Sequence, residues 1–274
     1  MIELIAAGLS DVGPVRANNE DCIGSHAPTD PLVGARKGHL FVLADGVGGQ
    51  NAGEVASATA VETIIAEYYS PSNHTRIEPA LKQSVQAANL RIYNLAQRHV
   101  EYRQMATTVS VLAVAGAHAY IAHVGDSRIY LWRDGRLTQL TDDHSEVAEL
   151  VRMRIISRGK MRDHPRRNVL TRALGGRLIL RPDFVRQPLQ PGDQLIQCTD
   201  GLWAEVADEE IAEVLGECEP DLACRRLIQR AVDHGTEDNV SLQVVRVLAT
   251  SDDPQPQNGR SGWLADIFQR INRS

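Results

Sequence analysis

The sequence predicts an α+β layered sandwich. Three observations carry that expectation. Short apolar or alternating runs end repeatedly in turn pairs such as Asp45-Gly46 and Asp200-Gly201, two adjacent segments place apolar residues at helical spacing, and alternating runs then resume up to residue 248 around one polar, arginine-rich interruption. With 274 residues, 43% apolar and 23% charged, the chain has globular composition and is long enough to bury a large core without disulfides or a structural metal.

The first forty or so residues alternate short apolar runs with turn residues, and His39–Ala44 reads as a buried strand stopped by Asp45-Gly46. From about Glu54 the period becomes helical through Val55, Ala58, Val61, Ile65 and Tyr68, with Pro71 as the stop. A second helix carries Ile77, Leu81, Val85, Ala88, Ile92 and Leu95 on one face, so the two helices are expected to pack together. Thr107–Ala115, His118–Val124 and Ser127–Arg133 are β-branched or aromatic runs separated by Gly116 and by Gly125-Asp126, which reads as an antiparallel meander. Residues 144–176 are polar and Arg-rich and look like an inserted flap before the strand Gln194–Cys198. Leu222–Val232 is helical again and Val240–Leu248 is a last strand. Beyond it, 249–260 has linker composition and 261–274 a short amphipathic helical pattern with Trp263, Leu264, Ile267, Phe268 and Ile271, either a docking element or one that folds back.

Charge and cysteine usage exclude several classes. The net charge of −6 provides no basic field to gather nucleic acid or anionic lipid. No run approaches the roughly eighteen apolar residues of a spanning helix. Cys22, Cys198, Cys218 and Cys224 form no CxxC or zinc-like spacing, and the N-terminus lacks a secretory signal pattern, so a cytoplasmic protein is expected.

Four aspartates stand at the ends of strand-like runs: Asp45, Asp126, Asp200 and Asp238. Converging carboxylates repel unless a cation lies between them, and an all-oxygen set favours hard ions such as Mg²⁺ or Mn²⁺. For any single Asp-Gly pair, a simple turn accounts for the residues equally well.

The wording of the segments adds what position lacks. Val15-Arg16-Ala17-Asn18-Asn19-Glu20-Asp21, Leu43-Ala44-Asp45-Gly46-Val47-Gly48-Gly49, Thr107-Thr108, Gly125-Asp126-Ser127-Arg128, Asp142-Asp143-His144-Ser145, Thr199-Asp200-Gly201-Leu202-Trp203 and Glu237-Asp238-Asn239-Val240-Ser241 together resemble, in order, the metal-dependent (PPM, type 2C) protein serine/threonine phosphatases. The resemblance covers about residues 4 to 248 and implies a four-layer α-β-β-α sandwich with two central antiparallel sheets, a catalytic domain over 1–248 and the flap at about 144–176. It implies a core site of two Mn²⁺ or Mg²⁺ ions flanking a water that attacks phosphorus. In that picture Asp45 is shared by both ions, the Gly46 carbonyl completes one, and Asp200 and Asp238 hold the second. Asp126, with Asp200, matches the site of a third, weaker ion. Glu20, Asp21 and Asn239 surround the ligands and grip their waters, and Arg16 binds the phosphate.

Val47 departs from the many eukaryotic members that carry a histidine there as a suggested general acid. That leaves water to protonate the leaving oxygen or His144, for which a structural role capping the start of the flap is the preferred reading. Val151–Pro165 carries five arginines and lysines and reads either as a solvated basic loop or as a preference for acidic phosphopeptides.

Two motifs are rejected. Gly46–Asn51 mimics a dinucleotide fingerprint but has Asn51 in the place of the last glycine. Cys224–Arg230 spells C-x5-R, yet it contains no glycine and lies in a helical pattern.

The resulting expectation is a serine/threonine protein phosphatase acting on phosphorylated proteins, opposite a Ser/Thr kinase. A catalytically silent binding module and a hydrolase of small phosphoesters are the rivals. Retention of all four aspartates speaks against the first, and the long flap speaks against the second.

Overall fold

The computed structural model describes residues 2–47, 52–73, 75–162 and 164–250. The linker and amphipathic tail expected over 249–260 and 261–274 lie outside the described residues from 251 onward.

Two antiparallel sheets stack face to face. One has the order β1 (Glu3–Asp11), β11 (Val240–Ala249), β10 (Gln194–Cys198), β7 (Arg128–Arg133) and β8 (Arg136–Gln139). The other runs β2 (Asp21–His26), β3 (His39–Val47), β5 (Val109–Ala115), β6 (His118–Val124) and β9 (Asp183–Pro188), with the two-residue β4 (Ala106–Thr107) beside the end of β3. Helices α2 (Gly53–Tyr69) and α3 (Ile77–Arg98) cover the second sheet, while α5 (Asp200–Trp203), α6 (Asp208–Glu217) and α7 (Pro220–Asp233) cover the first. The four layers expected from the family resemblance are therefore present. Two short helices, α1 (Pro31–Lys37) and α4 (Glu146–Arg152), lie in connections.

Side-chain alternation builds the layers. Along β3, Leu40, Val42 and Ala44 face α2 and α3, where they meet Ala56, Ile64, Leu81 and Ile92, whereas Phe41 faces the other sheet. Along β11, Val240, Leu242 and Val244 face Leu227 and Leu202, whereas Val245 and Val247 turn inward. The space between the sheets is graded. At one end it is apolar, with Phe41, Leu112, Ile121, Leu195 and Val247. At the other end, where β3 finishes and β11 begins, it is polar: Ser10 Oγ meets Ser241 Oγ at 2.7 Å and Gln197 Nε2 donates to Gln243 Oε1 at 2.5 Å.

One expectation needs correction. Residues 107–133 do not form a single meander: β5 and β6 pair in one sheet, but β7 pairs with β10 and β8 in the other. Gly125-Asp126-Ser127 is the crossing between sheets rather than a hairpin turn. Position-two alternation is blind to this, because a strand reads alike in either sheet. Strand β9 and helices α1 and α6 also went unassigned from sequence. Each is short, and α1 depends on a local cap, with Asp30 accepting from Leu32 N–H at 2.8 Å and Pro31 opening the helix.

Candidate metal centre

The polar end of the sandwich opens into a cavity of about 380 Å³, and every residue predicted for the site except Asp21 lines it. Both sheets contribute. Asp45 and Gly46 stand near the end of β3, and Asp21 on β2 is directly opposite Asp45 in the ladder. Asp200 opens α5 immediately after β10, Asp238 and Asn239 precede β11, and Asp126 sits on the crossing between the sheets.

The lining is held from behind. Asn239 is the tie for the Arg16 loop: its Nδ2 donates to Val12 O at 2.8 Å and Asn18 O at 3.0 Å, and its Oδ1 accepts from Glu20 N–H at 2.9 Å. Asp21 lies beneath the cavity, where its carboxylate accepts from Thr199 Oγ1 at 3.0 Å, so it couples β2 to the residue preceding Asp200. Asp45 is joined to Thr108 in both directions, through Asp45 N–H to Thr108 Oγ1 at 3.1 Å and Thr108 N–H to Asp45 O at 2.8 Å. Gly46 cannot carry a side chain, since a Cβ there would fall 2.3 Å from Gly53 O and 2.6 Å from Glu20 O.

The first residue of β7 braces the crossing. The Arg128 guanidinium stacks 3.5 Å from the Trp203 ring centre and grips Asp143 through Nε at 3.0 Å and Nη2 at 2.7 Å. Trp203 Nε1 in turn donates to Asp126 O at 3.0 Å.

The site concentrates negative charge. Burial first, and then the charges of Asp21, Asp200, Asp126 and Asp238, hold the Asp45 carboxyl well above the ordinary carboxylate range. Burial and Asp200 raise Asp126 likewise. Asp200 is raised to about 6, by burial and Asp238, and Asp21 to about 7, by burial against the lowering effect of its hydrogen bonds. Glu20 is raised by burial and by Glu54. Arg16 pairs directly with this set, its Nη2 donating to Asp238 Oδ2 at 2.8 Å with the arginine side about half exposed, while Arg167 acts on Asp200 and Arg128 on Asp126 through charge.

The donor set suits a hard divalent ion. It consists of oxygens only, from carboxylates and the main chain, with no histidine or cysteine in the lining. Among the described residues, no three histidine, cysteine, aspartate or glutamate side chains are arranged to hold an ion by themselves. Ions seated here would complete their shells with main-chain oxygen and water, as Mg²⁺-sized cations ordinarily do.

Two lining residues were not foreseen. Asn168 and Leu170 reach the cavity from the flap. Their chemistry gave no signal, because a lone Asn and Leu in an Arg-rich stretch look like ordinary loop residues. A second concavity of about 460 Å³ shares Arg16, Asn168, Asp200 and Asp238 with the first and continues past Arg167, Glu205 and Glu237. His144 is not in the lining; it is fully buried with both ring nitrogens engaged. Cys224 is also buried, in the middle of α7, and burial pushes its thiol up to about 12, which removes the C-x5-R reading. Of the glycine-rich stretch after Val47, residues 48–51 lie outside the described residues.

Comparison with known proteins finds the family described as Protein phosphatase 2C matching residues 6–240. A Streptococcus pyogenes protein named putative protein phosphatase 2C-type is 35% identical over 239 residues, covering 86% of this chain and 94% of that one. The serine/threonine protein phosphatase PstP of Mycobacterium tuberculosis is 36% identical over 242 residues, covering 88% of this chain but 45% of PstP. Among solved structures, the catalytic domain of a serine/threonine protein phosphatase PstP in complex with two manganese ions superposes with a TM-score of 0.78 at 35% identity, covering 90% of this chain and all of that one.

Proposed function

The chain belongs to the protein phosphatase 2C family and is a serine/threonine protein phosphatase, and from that premise we propose how its residues divide the work. The observation that carries the reading is the convergence of Asp45, Asp126, Asp200 and Asp238 from two sheets into one cavity, with their carboxyls held up by burial and mutual repulsion. Asp45 and the Gly46 carbonyl would hold one Mn²⁺ or Mg²⁺, with Asp45 shared with a second ion on Asp200 and Asp238, and Asp126 would help to hold a weaker third. Glu20 and Asp21 would orient water around these ions, and Asn239 would keep the loop in place. Bound there, divalent cations supply Lewis-acid activation of water and offset the charge that builds on the phosphoryl group.

Arg16 would bind the phosphate. It neutralises Asp238 in the structure, and once that carboxylate is otherwise engaged its planar fork is free to take two phosphate oxygens. Position 47 is Val, which offers no acid to the leaving oxygen, and His144 is sequestered. Water is then the proposed source of that proton.

The adjoining concavity past Glu205 and Glu237 supports a phosphorylated protein segment over a small phosphoester. A Ser/Thr kinase acting on the same substrates is the natural counterpart. Four free cysteines fit a reducing, cytoplasmic setting, and among the described residues no helix is long and apolar enough to cross a membrane.

The test is hydrolysis of a phosphothreonine peptide by the purified chain with Mn²⁺, with Mg²⁺ and with EDTA, beside Asp238→Ala. Turnover that needs the metal and falls by at least about 100-fold in the variant is expected; Mn²⁺-dependent activity at the wild-type level in Asp238→Ala would sink the ligand assignment.

A further inference from the structure

His144 joins the flap to the crossing that carries Asp126. Its ring is fully buried. Nδ1 accepts from Gly125 N–H at 3.1 Å, and the His144 main-chain N–H donates to Gly125 O at 2.7 Å, so His144 engages both polar main-chain groups of Gly125, whose oxygen also lies 3.0 Å from His123 Nε2. With Nδ1 accepting, the ring proton belongs on Nε2, which donates to Asp183 Oδ2 at 3.1 Å while Arg172 Nη1 lies 3.2 Å from the same nitrogen. Arg172 Nη1 holds the other oxygen of Asp183 at 2.8 Å and thereby fixes the carboxylate that selects this tautomer.

The same residue anchors the flap. Thr171 N–H donates to His144 O at 2.8 Å, and Glu146 N–H donates to Val169 O at 2.9 Å, which sets the short stretch bearing Asn168 and Leu170 at the cavity rim. Toward the site, Gly125 has φ +116° and its missing Cβ would meet Thr108 Cβ at 2.5 Å, so the peptide leading into Asp126 is packed on one face and clasped by His144 on another.

Resting on the reading of Asp126 as a carboxylate that holds a divalent cation, we propose that His144 is a positioning residue that locks the Asp126 crossing to the flap rim. Cation binding at Asp126 and peptide contact at Asn168 and Leu170 are then reciprocally coupled, each favouring the arrangement the other needs.

Two substitutions separate the ring's two bonds. The side-chain oxygen of His144→Asn falls where Nδ1 lies and keeps the acceptor for Gly125, whereas His144→Gln reaches toward Asp183 and loses that acceptor. Hydrogen exchange at the Gly125 amide, calorimetric Mn²⁺ binding without substrate, and KM for a phosphopeptide against KM for p-nitrophenyl phosphate are the readouts. For His144→Gln the expected result is Gly125 exchange faster by about tenfold or more, the weakest Mn²⁺ step weakened by about tenfold, and a rise in KM for the peptide only, the scale of one lost buried hydrogen bond. For His144→Asn all three should stay within about twofold of wild type. Equal losses in both variants, or unchanged Gly125 exchange and Mn²⁺ binding in His144→Gln, would overturn the proposal. If His144→Gln fails to fold, Asp183→Ala carries the same expectation, because Arg172 Nη1, 3.2 Å from Nε2, is then left to donate to that nitrogen and favours the tautomer that cannot accept from Gly125. Gly125 exchange and Mn²⁺ binding are read without turnover, so an inert wild-type protein would refute the phosphatase reading while these two readouts still decide whether His144 positions Asp126.

Discussion

Arg16 and the aspartates around it are the residues on which activity should turn. Arg16→Ala is expected to raise KM for a phosphopeptide about tenfold or more with a smaller change in kcat, on the scale of one charge-assisted bond, and steady-state kinetics would show it. The carboxylates also set a pH dependence. Asp21 moves from 3.8 to about 7 and Asp200 from 3.8 to about 6 on folding, so the folded, metal-free chain keeps protons that the unfolded chain has released. Stability present below pH 3.8 is thus lost as pH rises through those values. Melting of the EDTA-treated protein should drop by several degrees, on the order of 2–4 °C per kcal/mol, between about pH 5 and about pH 8, and saturating Mn²⁺ should abolish the drop. A melting temperature that rises over this range without metal would contradict the assignment. At this scale the sequence was informative: Arg16, Glu20, Asp45, Gly46, Asp126, Asp200, Asp238 and Asn239 all reach one cavity. The Arg16–Asp238 pair was not legible, because an ion pair across 222 positions leaves no local trace.

The elements that place those residues were legible unevenly. Helix α3, with its clear apolar stripe, and α2, buried around most of its circumference, fall where the spacing puts them, and β11 does too, whereas β3 runs on through Asp45-Gly46, the expected stop, to Val47. The destination of β7 did not, since strand periodicity records burial and says nothing of which sheet provides the neighbour. That crossing depends on a buried brace, and Arg128→Lys tests it. A lysine keeps the charge but loses both the second bond to Asp143 and the stack on Trp203, so a loss of about 2–4 kcal/mol in chemical denaturation is expected. Trp203→Phe keeps most of the packing and deletes the bond to Asp126 O; it should weaken Mn²⁺ activation about tenfold with less than about 2 kcal/mol lost in stability.

For the molecule as a whole, the folded unit closes when β11 completes its pairing with β1, from Asp11 opposite Val240 to Glu3 opposite Ala249. The division of the site between layers reaches further. Asp21 and Asp45 belong to one sheet, while Asp200 and Asp238 flank strands of the other, and the material between the sheets at that end is hydrogen-bonded rather than greasy. Ions in the cavity would act as a rivet through two plates. A rivet resists sliding more than bending, and it fails when the plates shift by a fraction of its own width. Slippage of one sheet against the other by an ångström or two would scatter the ligands while leaving each sheet whole, so on slow warming the enzyme should fall silent several degrees before its far-ultraviolet signal changes.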